Sequence, residues 1–227
     1  MSIAKKIKVL LAEDHTIVRQ GLCSLMKADG GFQVVGEART GREAVAMAQA
    51  LRPDVILMDI SMPVLNGLEA TRQVLKANPA ARVVILSAHT DDVYVERMKE
   101  TGAAGYIEKQ TSGEILTQAI RAVVSGCVFY SPAIAKRLHE DRRNRPGRVD
   151  QVQVHAVRLT SREAEVLQLV AEGLANKQVA AALGISIKTV EKHRQYLMDK
   201  LNIHDTAGLT RYAIATGVIE GRVQVTG

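Results

Sequence analysis

This 227-residue sequence predicts an α/β fold, a doubly wound five-stranded parallel sheet, followed by an all-α domain of four helices. Three observations carry that expectation. Five short apolar runs punctuate the first half, and stretches with apolar residues at helical 3/4 spacing separate them. The final 70 residues keep the helical spacing and hold no convincing strand.

The apolar runs are Ile7–Ala12, Phe32–Val35, Val55–Met58, Arg82–Leu86 and Gly105–Ile107. Runs this continuous suit strands covered on both faces. A first helix follows from Val18, Leu22, Leu25 and Met26, a second from Ala44, Val45, Ala48 and Leu51, a third from Leu68, Thr71 and Leu75. Further helices are expected over 93–99 and 115–124. Such alternation requires right-handed crossovers, hence a parallel sheet with helices on both faces, in the flavodoxin-like order 2-1-3-4-5. A short helix over 132–139 precedes Arg142–Gln151, whose charge, Pro-Gly pair and lack of periodicity mark a linker. The domains are therefore placed at 1–126 and 158–227, with a linker over 127–157.

In the second domain, Thr160 with Glu163 three residues later is a capping-box pattern opening a helix that ends near Gly173. Asn176 is expected to cap a helix over 177–183, stopped by Gly184. Ser186 caps a longer one through Leu201, and Asp205 a fourth reaching about Gly217.

Composition narrows the function classes. No apolar run approaches the roughly 18 residues of a membrane span. The N-terminal MSIAKKIKVLLAED has only a short apolar run ending in acid, with no cleavage pattern, so no signal peptide is expected. Cys23 and Cys127 show neither metal spacing nor a disulfide framework, and a cytoplasmic protein with reduced thiols is expected. The formal charge of +6 divides unevenly: net +1 over 1–126, +3 over 127–157 and +2 over 158–227. The excess in the C-terminal half suits a polyanionic partner.

Chemistry concentrates at the strand ends. In an open parallel sheet, ligands bind beyond the C-terminal ends of the strands where strand order reverses. Strand one ends in Glu13-Asp14 and strand three in Asp59, so three carboxylates converge there. A lone strand-end Asp is more often an N-cap or loop acid, but three together repel and call for a cation. A hard divalent ion such as Mg2+ fits carboxylates of this kind. Strand four ends in Ser87 and strand five in Lys109. Carboxylate, divalent ion, hydroxyl and ammonium at one rim suit a transferring phosphoryl group, with a carboxylate oxygen attacking.

Glu13-Asp14, then Asp59 with Met62, Pro63 and Gly67 following it, then Ser87-Ala88, and Tyr106 with Lys109, resemble the receiver domain of bacterial two-component response regulators in order and spacing. The resemblance spans about residues 5–125. It implies that Asp59 accepts phosphate from a histidine kinase. It also implies that Asp14, Asp59 and the Ser61 carbonyl ligate Mg2+ while Glu13 acts through water. Ser87 and Tyr106 would form the switch pair. Gln110 departs from the pattern, standing where many receivers have proline.

The segment ALGIS joins helices two and three of the second domain, a helix-turn-helix signal in which the second helix enters the major groove. On that helix Val190, Leu197 and Leu201 form the core stripe, and Lys188, Glu191, Lys192, Gln195 and Asp199 the opposite face. Lys, Glu and Gln are residue types able to read base edges. Amphipathicity alone would equally suit a solvated helix. LTSREAEVL, EGLANKQVAAALGIS and KTVEKH resemble a LuxR-type domain over 158–222. The resemblance implies phosphate contacts from Lys188, Thr189 and Lys200, base contacts from Glu191, Lys192 and Gln195, and a dimerisation helix over 207–216. Together the two resemblances indicate the NarL/FixJ response regulators.

The expected function is a DNA-binding transcriptional regulator, not a turnover enzyme. Phosphorylation of Asp59 with Mg2+ would switch the receiver, and a homodimer would bind palindromic promoter DNA. An aspartate-nucleophile phosphatase would need Asp-x-Asp, yet Asp59 is followed by Ile60-Ser61. A dinucleotide enzyme would need a Gly-rich turn where the chain reads AEDHT. A receiver that no longer takes phosphate is a third alternative, disfavoured by the full set of acids, hydroxyl and lysine.

Overall fold

The computed structural model describes residues 5–88, 100–136 and 159–219. The helix expected over 93–99 and the linker over Arg142–Gln151 lie outside the described residues. The chain divides into two compact units, 1–147 and 148–227.

The first unit runs β1 (Ile7–Ala12), α1 (Thr16–Asp29), β2 (Phe32–Ala38), α2 (Gly41–Leu51), β3 (Val55–Asp59), α3 (Gly67–Ala77), β4 (Val83–Ser87), β5 (Gly105–Glu108), α4 (Gly113–Val124) and β6 (Phe129–Tyr130). The sheet is parallel throughout, in the order β2-β1-β3-β4-β5-β6. The expected five-strand order is present, and a sixth strand extends it. Phe129 donates its N–H to the Ala104 carbonyl, and Ser131 to that of Tyr106. Residues 129–130 therefore belong to the sheet and not to the linker in which the sequence pattern put them. Two residues are too few to show a period, and only the signals Gly126 and Pro132 on either side hint at them.

Both faces of the sheet are covered, which explains the unbroken apolar strands. Leu10, Ile56, Met58 and Ile85 pack on one side with Ala44, Leu68 and Val74 of α2 and α3. Val9, Leu11, Val55, Leu57, Val84 and Ile107 pack on the other with Met26 of α1 and Leu116, Ile120 and Val123 of α4. Val18 and Leu51, two of the apolar residues whose spacing predicted α1 and α2, stand exposed at 37% and 39%.

The loop after β3 is fixed by backbone contacts. Gly67 donates to the Ile60 carbonyl at 2.8 Å, and a Cβ on Gly67 would stand 1.8 Å from the Asp59 carbonyl oxygen. Asn66 caps α3 by accepting from the Glu69 N–H. Val64 has a φ of 70°, a strained conformation for a β-branched residue. Gly67→Ala is expected to destabilise the first unit by about 1–3 kcal/mol, because backbone must move to admit the methyl group. Urea unfolding of the full chain checks it, and an unchanged midpoint would refute the close packing.

The second unit comprises α5 (Ser161–Ala171), α6 (Asn176–Leu183), α7 (Ile187–Leu201) and α8 (Thr206–Ala215). Val166, Leu169, Val179, Leu183, Val190, Leu197, Leu209 and Ala213 form its interior. The Thr160–Glu163 capping box is present. At α6 the cap position is Ala175 rather than Asn176: the Gln178 side chain accepts from the Ala175 N–H at 2.9 Å. Asn176 is turned to other use, accepting from Arg194 at 2.7 Å. Gly184, at φ 64°, ends α6, and Ser186 caps α7 through the Thr189 N–H.

Candidate functional site

β1 and β3 are neighbours, so their C-terminal ends bring Glu13, Asp14 and Asp59 to one rim. The side chains of Glu13 and Asp59 are 1% exposed. Lys109, directly after β5, crosses to them: its Nζ stands 2.8 Å from Asp59 Oδ2 and 2.9 Å from Glu13 Oε2. Its own N–H donates to the Ser87 carbonyl at 2.8 Å, which anchors the lysine beside β4. Ser87 is buried at the end of that strand. All peptide bonds among the described residues are trans, including that before Gln110, and Lys109 reaches the acids with glutamine in this loop.

Burial pushes the Asp59 carboxyl up from 3.8 to about 6, with repulsion from Glu13 adding to it. Lys109 and a backbone hydrogen bond from Ser61 pull the other way. Burial alone would lower the Lys109 ammonium, but attraction to Asp59 and Glu13 outweighs it and raises its pKa. The set is thus a nearly dry pair of acids held by one cation.

Ligand atoms of Glu13, Asp14, His15 and Asp59 lie within 4.8 Å of one another, a donor set able to hold a metal ion. The sequence pattern did not single out His15, whose Nδ1 lies 2.8 Å from Asp14 Oδ1 and 3.1 Å from Glu13 Oε1. Nor did it single out Arg19. That buried guanidinium donates to the carbonyls of Glu13 at 2.9 Å and Asp14 at 3.3 Å, and pairs with Glu37 at 3.1 Å. An arginine within an otherwise apolar stripe, one helical turn past an acid pair, is the signal that could have found it.

Tyr106 is 2% exposed and turned inward. Its ring stacks on Tyr130 of β6 with centroids 5.4 Å apart, and its hydroxyl lies 3.4 Å from that of Thr101. Burial raises its pKa.

In the second unit, Lys188, Glu191, Lys192 and Gln195 all stand exposed on α7, opposite buried Val190 and Leu197. The Lys192 Nζ lies over the Tyr196 ring at 5.5 Å, and the Gln195 amide donates to Asp199. The Thr189 hydroxyl is 2.8 Å from that of Ser186 and completes the α7 cap. Lys200, expected to meet a phosphate, has its Nζ 2.7 Å from Glu163 Oε2, which ties α7 to the α5 capping box. Although burial tends to raise the Glu163 carboxyl, the hydrogen bonds from Lys200 and the Thr160 N–H hold it below its ordinary range. Arg194 braces the unit, reaching Asn176 and Thr206.

Residues 9–121 match the family described as Response regulator receiver domain, and residues 157–213 match Bacterial regulatory proteins, luxR family. The chain is 33% identical to the transcriptional regulatory protein DegU of Brevibacillus brevis over 230 residues, covering 96% of this chain and 97% of that protein. It is 35% identical to the response regulator protein VraR of Staphylococcus aureus over 214 residues, covering 94% and 99%. A crystal structure of a LuxR-family two-component response regulator from Aurantimonas sp. SI85-9A1 is 35% identical, with a TM-score of 0.58, over 61% of this chain and 99% of that one. With receiver-type acids at one sheet rim and a LuxR-type helix-turn-helix later in the sequence, the chain belongs to the NarL/FixJ family of two-component response regulators.

Proposed function

We propose that this regulator is switched by phosphoryl transfer to Asp59, and that the phosphorylated form dimerises and binds promoter DNA through α7. The observation that carries it is the Asp59–Lys109–Glu13 bridge at 2.8 and 2.9 Å in a buried rim. The Asp59 carboxylate attacks phosphorus, forming an O–P bond while the N–P bond to a histidine kinase's phosphoimidazole breaks and the imidazole keeps the electron pair. Lys109 neutralises a phosphoryl oxygen, and Arg19 keeps the acidic loop in place. Glu13, Asp14, Asp59 and the Ser61 carbonyl would hold a divalent ion, Mg2+ by their oxygen-rich character, which would supply further charge neutralisation when bound. Asp59 is a stoichiometric acceptor and not a turnover catalyst.

Ser87 and Tyr106 are the residues through which the phosphoryl group acts on the fold, since they end and line the neighbouring strands β4 and β5. Dimerisation pairs two weak half-site readers on one palindromic site, raising affinity through effective concentration. A cytoplasmic setting follows from partners of this kind, and among the described residues no helix is long and apolar enough to cross a membrane.

The test is to incubate the full chain with Mg2+ and a small phosphodonor, following intact mass and binding to duplex DNA by fluorescence anisotropy. The expected result is a gain of one phosphoryl mass together with tighter, dimeric binding. Mass gain without any change in oligomeric state or DNA affinity would overturn the switch. Lys192→Ala is expected to reduce discrimination between specific and scrambled duplexes by about 1–3 kcal/mol, and Lys188→Ala to lower the salt slope by about one. Lys200→Ala should leave that slope unchanged, because its partner is Glu163. Equal, small effects of all three on discrimination and slope would refute the groove assignment.

A further inference from the structure

The geometry points to His15 as a nitrogen ligand that raises the affinity of this regulator's acidic site for transition-metal dications more than for Mg2+, an inference resting on the metal-assisted reading of that site. His15 occupies the N-cap position of α1, where side chains usually accept a hydrogen bond from a backbone N–H of the first turn. Its imidazole makes no such bond. The ring is turned instead to the acids, with Nδ1 2.8 Å from Asp14 Oδ1 and 3.1 Å from Glu13 Oε1. Adjacent ligands on an octahedral ion with bonds near 2.1 Å are about 3.0 Å apart, so these separations match those of neighbouring ligands on one ion.

The backbone holds the ring there. The His15 N–H donates to Glu13 Oε1 at 3.1 Å, and its carbonyl accepts from the Arg19 N–H at 3.0 Å. Arg19 in turn fixes the carbonyls of Glu13 and Asp14. Imidazole and carboxylates are thus presented by one braced loop, with Asp59 across from them. The distinction matters chemically. Carboxylate, carbonyl and water suit Mg2+, whereas an imidazole nitrogen adds affinity for Co2+, Ni2+ or Zn2+. The alternative role is a ring that only donates a hydrogen bond to the acids and orients them. That role would support every dication alike.

The experiment is isothermal titration of the full chain with Co2+ and with Mg2+, comparing wild type, His15→Ala and Asp14→Asn. The site counted is the one that Asp14→Asn abolishes. Circular dichroism confirms that each variant folds, which the 45% exposure of the His15 side chain favours. His15→Ala is expected to weaken Co2+ binding at this site at least tenfold and Mg2+ binding less than threefold. Equal losses for both ions, or no loss for Co2+, would overturn the nitrogen-ligand role while leaving the acidic site intact. If Asp14→Asn alters neither ion's binding, the metal-assisted reading itself fails and the His15 inference with it.

Discussion

Asp59→Asn takes up no phosphoryl mass from a small phosphodonor in the presence of Mg2+, under conditions in which the wild-type chain gains one. The side chain is the nucleophile, and the amide cannot form the acyl phosphate. A mass gain equal to wild type would move the acceptor elsewhere, and no gain in wild type would remove the receiver chemistry altogether. The same variant reports on stability. Asp59 titrates at about 6 in the fold against an ordinary 3.8, so the folded chain holds more protons than the unfolded one between those values. Stability contributed by this group therefore falls as pH rises through that window and stays low above it. Asparagine stands in for the protonated form and escapes the penalty. In EDTA at pH 8 the variant is expected to be more stable than wild type by up to about 3 kcal/mol, the equivalent of a shift of about two units. At pH 4 the two should converge. Urea titrations at both pH values measure it, and a variant less stable than wild type at pH 8 would refute the buried-charge account.

Lys109→Ala has the opposite sign. It removes the one cation among the described residues that touches both Asp59 and Glu13, whose side chains are 1% exposed. Stripping one partner from a buried ion pair costs about 3–5 kcal/mol, and that loss is expected in EDTA at pH 8. The deficit shrinks toward pH 5. Without the lysine's attraction the Asp59 carboxyl rises further, and protonation at lower pH relieves the uncompensated charge. Added Mg2+ should recover much of the loss, because an ion bound only by the folded state stabilises it by mass action. A deficit that depends on neither pH nor Mg2+ would show that Lys109 acts through packing alone.

The sequence by itself determined the parallel sheet, its strand order and the α5–α8 helical unit, because these rest on local information. Doubly covered strands read as unbroken apolar runs, and capping residues such as Thr160, Ser186 and Asp205 mark helix starts without knowledge of neighbours. It also determined which acids, hydroxyl and lysine share a rim, since strand order places the ends of β1, β3, β4 and β5 together. Only the tertiary structure decided the partners. Lys109 lies 50 residues from Asp59 and 96 from Glu13 along the chain, and nothing local states that one ammonium bridges both. Lys200 reads as a free basic residue at the end of α7 until α5 brings Glu163 within 2.7 Å. Arg19 and His15 read as ordinary residues of a helix start until the β1–α1 loop folds the acids against them. The two residues of β6 carry no period at all, and they become a strand only because Tyr106 and the open edge of β5 are there to receive them. Periodicity and caps are written in neighbouring residues, whereas ion pairs and edge pairing exist only once distant segments meet.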